Sequence, residues 1–415
     1  MSQEHNENKN NILKILAVSF FKVYYLTISV MFYAYIPIFF KSKGFTEHQT
    51  GILFSMQSLM AIVTYLPSGI INDRFSVKSQ IIFGIFIYTA FTGFLQSAVT
   101  FWHFFALFIL WGLSGTMIDN STNVMYYKDS AQSPNKLFFA VYGITATIAY
   151  AAGGKIGAML IDGNDFSTLF KTVFYMSLAM LPIAMTLSDT KAVSIRLRDY
   201  LDDILRFDTI VLALTIFIFT YHWGAEVTSF TMLMKNEAGM DLGSISLIYL
   251  EVGLVMSAII FALGIFKQKH GLKPVTAIYI AVAASAGSQL AFCYVRTFEG
   301  MLLNQFFHAI GDSFFMYYWL NIIPTMYKYE RIGGASSFVN LFSVISVIAG
   351  SAISGMAVQR SASNYSAFLI SGLLMLSIYP LQLYSSSRAR APLIIDNMHS
   401  NEDSITQEFQ GGILK

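Results

Sequence analysis

Twelve apolar stretches, each about 20 residues or longer, run through the 415-residue chain. They fall near 15–39, 48–71, 80–99, 101–126, 138–161, 167–187, 208–234, 243–266, 274–295, 298–326, 335–358 and 364–385. A helix needs about 20 mostly apolar residues to cross the hydrocarbon core of a bilayer. In lipid, each such segment must satisfy its own backbone polar groups, which a helix does. The pattern predicts an all-α membrane protein with twelve transmembrane helices. With 55% hydrophobic and 12% charged residues, the chain lacks the polar surface a water-soluble protein of this size needs.

Charge placement predicts the topology. With a cytoplasmic N-terminus, 18 of the 26 Lys and Arg residues fall in the inner segments and five in the outer loops. The positive-inside rule then puts both termini in the cytoplasm, as expected for a multi-pass protein of a cell inner membrane. The expected organisation is a short N-terminus (1–14), six spans (15–187), a linker (188–207), six more spans (208–385) and a polar tail (386–415). Within the linker, Leu197, Leu201, Ile204 and Leu205 recur at helical spacing, which predicts an amphipathic helix on the inner membrane face. The segment MSQEHNENKNNILK has no basic region ahead of a short apolar core, so no cleaved signal peptide is expected. A net charge of +2 argues against a nucleic-acid partner. The single cysteine, Cys293, provides neither a disulfide framework nor a cysteine-rich metal site, and no metal or cofactor is expected.

The second half echoes the first at an offset of 195 residues. Gly44 falls on Gly239, Gly69 on Gly264, Arg74 on Lys269 and Lys78 on Lys273. Thus GIINDRFSVK lies over GIFKQKHGLK, and each joins the second span of its half to the third. Duplicated halves related by an axis along the membrane normal are a transporter architecture.

Six plus six spans, a basic central loop and the pattern G-x-x-x-D-R-x-x-x-K resemble the major facilitator superfamily. Its signature in this loop is close to G-x-L-a-D-R-x-G-R-K. Gly69, Asp73, Arg74 and Lys78 match it, whereas Ser76 and Val77 stand where a glycine and a basic residue are usual. The resemblance covers about residues 15 to 385 and implies two pseudo-symmetric six-helix bundles. It also implies a gate in which Asp73 pairs with basic residues and with the N-terminus of span eleven, at Gly333, Gly334 and Ala335.

Ionisable groups within spans are costly and default to functional hypotheses. His308 and Asp312 are four residues apart on span ten and share a helix face. They resemble the His–acid pair of lactose-permease-like proton symporters, whose spacing is three. His222 and Glu226 repeat the pattern on span seven. Proton coupling is therefore expected at Asp312, His308 and Glu226. The resemblance places spans one, four, seven and ten around a central cavity. Lys22 and Asp119 are expected to pair there, with His222, Tyr33, Tyr318 and Trp319 as further cavity residues. Spans five and eight face each other in that fold, so Lys155 and Glu251 are expected to pair near an outer gate. Trp111 occupies the place of an arginine common in span four of the family, and span five lacks the Gly-Pro of many antiporters.

No P-loop, H-E-x-x-H, C-x-x-C or G-x-S-x-G pattern occurs, so the chain is not expected to be an enzyme. The expected function is secondary active transport of a small organic solute by proton symport, in a protein working as a monomer. Efflux by antiport of drugs, siderophores or metabolites is the alternative within transport. A receptor or scaffold without turnover is the alternative outside it.

Overall fold

The computed structural model describes residues 2–132, 138–161, 165–189 and 197–388. Part of the linker, with Lys191 and Arg196, lies outside these residues. So do Lys136 and the tail from 389 onward, with Arg390 and Lys415. The fold is helical throughout. In chain order the helices are α1 (Ser2–Tyr33), α2 (Ile36–Ser42), α3 (Glu47–Arg74), α4 (Val77–Phe94), α5 (Phe101–Ala131), α6 (Phe138–Met159) and α7 (Ser167–Met185). There follow α8 (Leu197–Ile204), α9 (Phe207–Met232), α10 (Leu242–His270), α11 (Pro274–Ala291), α12 (Phe298–Met326), α13 (Ile332–Ser361), α14 (Tyr365–Leu376) and α15 (Ile378–Arg388).

A helix or helix pair stands at each of the twelve expected spans. Among the described residues, ten segments are long and apolar enough to cross a membrane by length and composition. The other two, α6 and α12, carry Lys155 and the polar run Asn304, Gln305, His308 and Asp312, which lower their apolarity. Two spans are interrupted. The first breaks at Ala34–Tyr35, just ahead of Pro37, which lacks a backbone N–H and restricts the residue before it. The last breaks at Ser377, close before Pro380.

Packing is close wherever small residues meet. Within one group, α1 packs on α6 and α7, and α5 on α3 and α4. Within the other, α9 packs on α13 and α14, and α12 on α10 and α11. At the α9–α13 crossing, a methyl on Gly224 would lie 2.2 Å from the Val347 carbonyl, and one on Gly350 would lie 2.2 Å from that of Tyr221. Such contact requires glycine. The groups meet through α3 on α13 and α6 on α10. These two contacts correspond under the 195-residue repeat. Gly69 of α3 abuts Gly333 and Ser337 of α13, and Gly264 of α10 abuts Ala140 of α6. Gly44 and Gly239, also related by the offset, both have positive φ, at 81° and 66°.

Several tyrosines that could have faced a cavity instead tie helices together. Tyr25 donates to the Gly115 carbonyl (3.2 Å), Tyr35 to that of Gly154 (2.6 Å) and Tyr317 to that of Leu272 (2.7 Å). Trp111 sits in an aromatic box, stacked on Phe91 and edge-on to Phe32 and Phe108.

Candidate functional site

The signature loop builds a closure at the end of the molecule where the basic residues collect, hereafter the basic end. Asp73, the penultimate residue of α3, is fully buried. The N–H of Gly333 donates to its Oδ1 (3.0 Å) and the N–H of Gly334 to its Oδ2 (2.7 Å). These are first-turn amides of α13, which have no partner inside their own helix and carry partial positive charge. Lys128 of α5, itself buried, places Nζ 3.1 Å from Asp73 Oδ1 and donates to the Asn72 carbonyl. Tyr200 of α8 donates to Asp73 Oδ2 (3.2 Å). Ser337 donates to Asn120 Oδ1 (2.9 Å) one turn deeper. Gly69 permits all of this, because a methyl there would sit 2.1 Å from Ser337 Oγ. Lys78 lies apart from the closure and donates to the Met185 carbonyl, capping the last turn of α7. Arg74 is half-buried beside it.

The linker helix α8 belongs to the same closure. The sequence expects an amphipathic helix at this position, and α8 occupies it. Leu201 and Leu205 are exposed, but Tyr200 and Asp203 are buried against the protein. Arg331 holds Asp203 through Nε (2.9 Å) and Nη2 (3.2 Å), and its Nη1 donates to the Asp199 carbonyl. Burial pushes the Asp203 carboxyl up from its ordinary range, and the Arg331 guanidinium opposes that shift. Gly334 leaves room for the Tyr200 ring on α13.

Two charged clusters lie deeper in the helices. In the first, Lys22 of α1 pairs with Asp119 of α5, and the same ammonium donates to Asn123 Oδ1 (3.2 Å). Tyr65 of α3 and the Asn123 amide donate to Asp119 Oδ2 at 3.3 and 3.1 Å, and Tyr142 of α6 donates to Asn123. Four helices thus converge on one ion pair, and Asp119 keeps nearly a third of its side chain exposed.

The second cluster joins α9 to α12. Spacing pairs His222 with Glu226 and His308 with Asp312, but the contacts cross between the helices. His222 Nε2 lies 3.3 Å from Asp312 Oδ1, and His308 Nε2 lies 3.0 Å from Glu226 Oε1. The pair within α12 is longer, at 3.7 Å. The imidazoles meet edge to face at 5.1 Å. A shell of polar groups holds them. Trp223 Nε1 and Ser285 Oγ donate to Asp312 at 2.8 and 3.1 Å. Gln289 donates to Glu226 at 2.7 Å and accepts from Ser371. One donor atom from each of His222, His308 and Asp312 lies within 4.8 Å of the other two, a spacing that can hold a metal ion.

Of the remaining expected residues, Trp319 stacks on Trp223 and donates to Asn340 Oδ1, and Tyr33 is exposed beside Phe54 and Trp111. Tyr318 is buried next to Thr215 and Gln382. Lys155 is exposed and Glu251 half-buried, with Glu251 Oε2 lacking a hydrogen-bond partner. No ion pair joins these two among the described residues. Sequence reasoning missed Lys128, Tyr200, Trp223, Ser285 and Gln289. The one available signal was polarity inside an apolar span, which marks Gln289 but names no partner.

Residues 18–200 match the family model of the Major Facilitator Superfamily. No curated protein sequence matches the chain. Among solved structures, the chain is similar to the human organic anion transporter MFSD10 (TETRAN), with a TM-score of 0.75 and 13% identity over 89% of this chain and 99% of that one. It is also similar to FucP in its outward conformation, with a TM-score of 0.73 and 13% identity over 89% of this chain and 97% of that one. A variant of the same protein, the E. coli fucose:proton symporter, matches with a TM-score of 0.66. At this identity the structural likeness concerns the fold, which is that of the major facilitator superfamily. The sequence match covers residues 18–200, the first six spans and the start of the linker.

Proposed function

We propose that the chain is a proton-coupled symporter of a small organic solute, working by alternating access as a monomer in a cell inner membrane with both termini cytoplasmic. The segments 15–187 and 208–385 move as two bodies about a midplane site. The carrying observation is the pairing of a knot that closes the basic end at Asp73 with a second, deeper cluster built of two histidines and two carboxylates. His222 donates through Nδ1 to the Phe219 carbonyl (2.5 Å), which leaves Nε2 as the atom near the Asp312 carboxylate, 3.3 Å from Oδ1. A proton between them neutralises a contact that would otherwise set a lone pair against an anion. Asp312, His308 and Glu226 carry the coupled proton, and Lys22 and Asp119 line the solute path in the other half. Asp119, Glu226, Glu251 and Asp312 outnumber Lys22 and Lys155, which favours a neutral or cationic solute. FucP, described as a fucose:proton symporter, is a precedent for this mode on the same fold. Each proton entering down the membrane potential contributes ~2.3 kcal/mol per 100 mV.

The test uses proteoliposomes with an internal pH dye, an imposed pH gradient and a panel of sugars, amino acids and organic cations. Wild-type protein is expected to accumulate one solute class and carry protons inward with it. Asp312→Asn is expected to lose accumulation but retain counterflow. Wild-type flux indifferent to the gradient overturns the coupling, and solute-driven proton exit overturns symport in favour of antiport.

A further inference from the structure

We propose that His222, His308, Asp312 and Glu226 form a binding site for a divalent first-row transition-metal ion of the Zn2+ class. This goes beyond proton coupling and rests on geometry that stands whether or not a proton moves there.

His222 is wholly buried, yet its Nε2 has no hydrogen-bond partner. The ring is not misplaced, because Nδ1 donates to the Phe219 carbonyl at 2.5 Å. That bond leaves the Nε2 lone pair without a donor, 3.3 Å from Asp312 Oδ1. A cation between them resolves the repulsion. A proton needs only two such atoms, whereas here several donors converge from two helices. Three separations within the cluster measure 3.0 Å (His308 Nε2 to Glu226 Oε1), 3.3 Å (His222 Nε2 to Asp312 Oδ1) and 3.7 Å (His308 Nε2 to Asp312 Oδ2), the last two reaching different oxygens of Asp312. Metal–ligand bonds of about 2.0–2.2 Å in a tetrahedron give ligand–ligand edges of about 3.3–3.6 Å. The three separations lie within a few tenths of an ångström of that range, and one donor atom from each of His222, His308 and Asp312 lies within 4.8 Å of the other two.

Three of the four side chains have the surroundings a metal site requires, whereas His308 Nδ1 is buried without a hydrogen-bond partner. A ligating histidine uses its second nitrogen on a carbonyl or carboxylate, and ligating carboxylates are themselves hydrogen-bonded. His222 meets the first condition through Phe219. Asp312 meets the second through Trp223 and Ser285, and Glu226 through Gln289, which Ser371 holds in turn. Two neutral imidazoles and two carboxylates carry two negative charges, which one divalent cation cancels in a medium where an unpaired charge is costly. Imidazole donors favour Zn2+, Cu2+, Ni2+ or Co2+ over Mg2+ and Ca2+. The Glu226 side chain, 20% exposed, is the point of entry.

Tag-free, metal-stripped full-length protein in detergent is titrated with CoCl2 and ZnCl2. The expected result is one ion per chain, a visible Co2+ absorption band of a four-coordinate nitrogen–oxygen site, its loss on adding Zn2+, and no response to MgCl2. His222→Ala and His308→Ala should each weaken Zn2+ binding at least tenfold, and Ser285→Ala about tenfold through Asp312. Metal-free melting temperatures show whether each variant is folded. Where an alanine variant is not, the glutamine substitution replaces it, and the wild-type band decides alone if both fail. Absence of the band in wild type, or variants that bind as tightly as wild type, overturns the site. Gradient-indifferent transport with an intact Co2+ band overturns proton coupling and leaves the metal site standing.

Discussion

Asp73 accepts from two backbone amides, an ammonium and a phenol, donors drawn from three helices, α13, α5 and α8. Burying a carboxylate this completely is tolerable only because every nearby donor points at it. Lys128 is the matching cation and is nearly inaccessible itself. Removing one member of a buried ion pair strands the other. Lys128→Met should therefore cost about 3 kcal/mol, read as a lower melting temperature in detergent. Asp73→Asn combined with Lys128→Met should restore part of that loss, because no charge is then left unpaired. A double variant as unstable as the two single losses added together would show that the residues act independently.

At the scale of one element, α8 joins the start of α13 to the end of α3. Arg331 and the Gly334 surface bind it to the start of α13, and the Tyr200 hydroxyl reaches across to Asp73 on α3. Opening of the basic end must break that hydroxyl contact. A hydrogen bond to a charged acceptor contributes roughly 1.5–3 kcal/mol. Tyr200→Phe should therefore move the equilibrium toward an open basic end by about tenfold or more. Spin labels at Ser79 and Lys273, both exposed beside this face, should report a longer distance in the variant. An unchanged distance distribution would remove Tyr200 from the closure.

For the whole molecule, the proposed alternating access requires relative movement of the two groups of helices. They touch along α6 and α10, where Thr147 and Ser257 share a hydrogen bond (2.7 Å) and a methyl on Gly253 would lie 3.5 Å from the Ala151 Cβ. That separation lies within the Cβ···Cβ range of a disulfide. In a Cys293→Ser background, Ala151→Cys with Gly253→Cys should crosslink under oxidation. The crosslink should abolish flux in proteoliposomes, and reduction should restore it. Full flux in the crosslinked protein would mean that the two groups need not separate there.

Helix number, the repeat and the closure residues Gly69 and Asp73 were legible in the sequence because lipid imposes a length on every span and a duplication leaves its mark at a fixed offset. The i, i+4 spacing also singled out His222, Glu226, His308 and Asp312, which meet in one cluster. Their true partners were hidden, because spacing reports neighbours on one helix, whereas the short contacts cross from α9 to α12. Lys128 and Tyr200 were hidden for the same reason: each acts on a carboxylate contributed by another helix. By itself the sequence determined which segments enter the membrane, since hydrophobic length is a local property. Only the tertiary structure decided which buried charges meet, because that depends on where glycine contacts let separate helices approach.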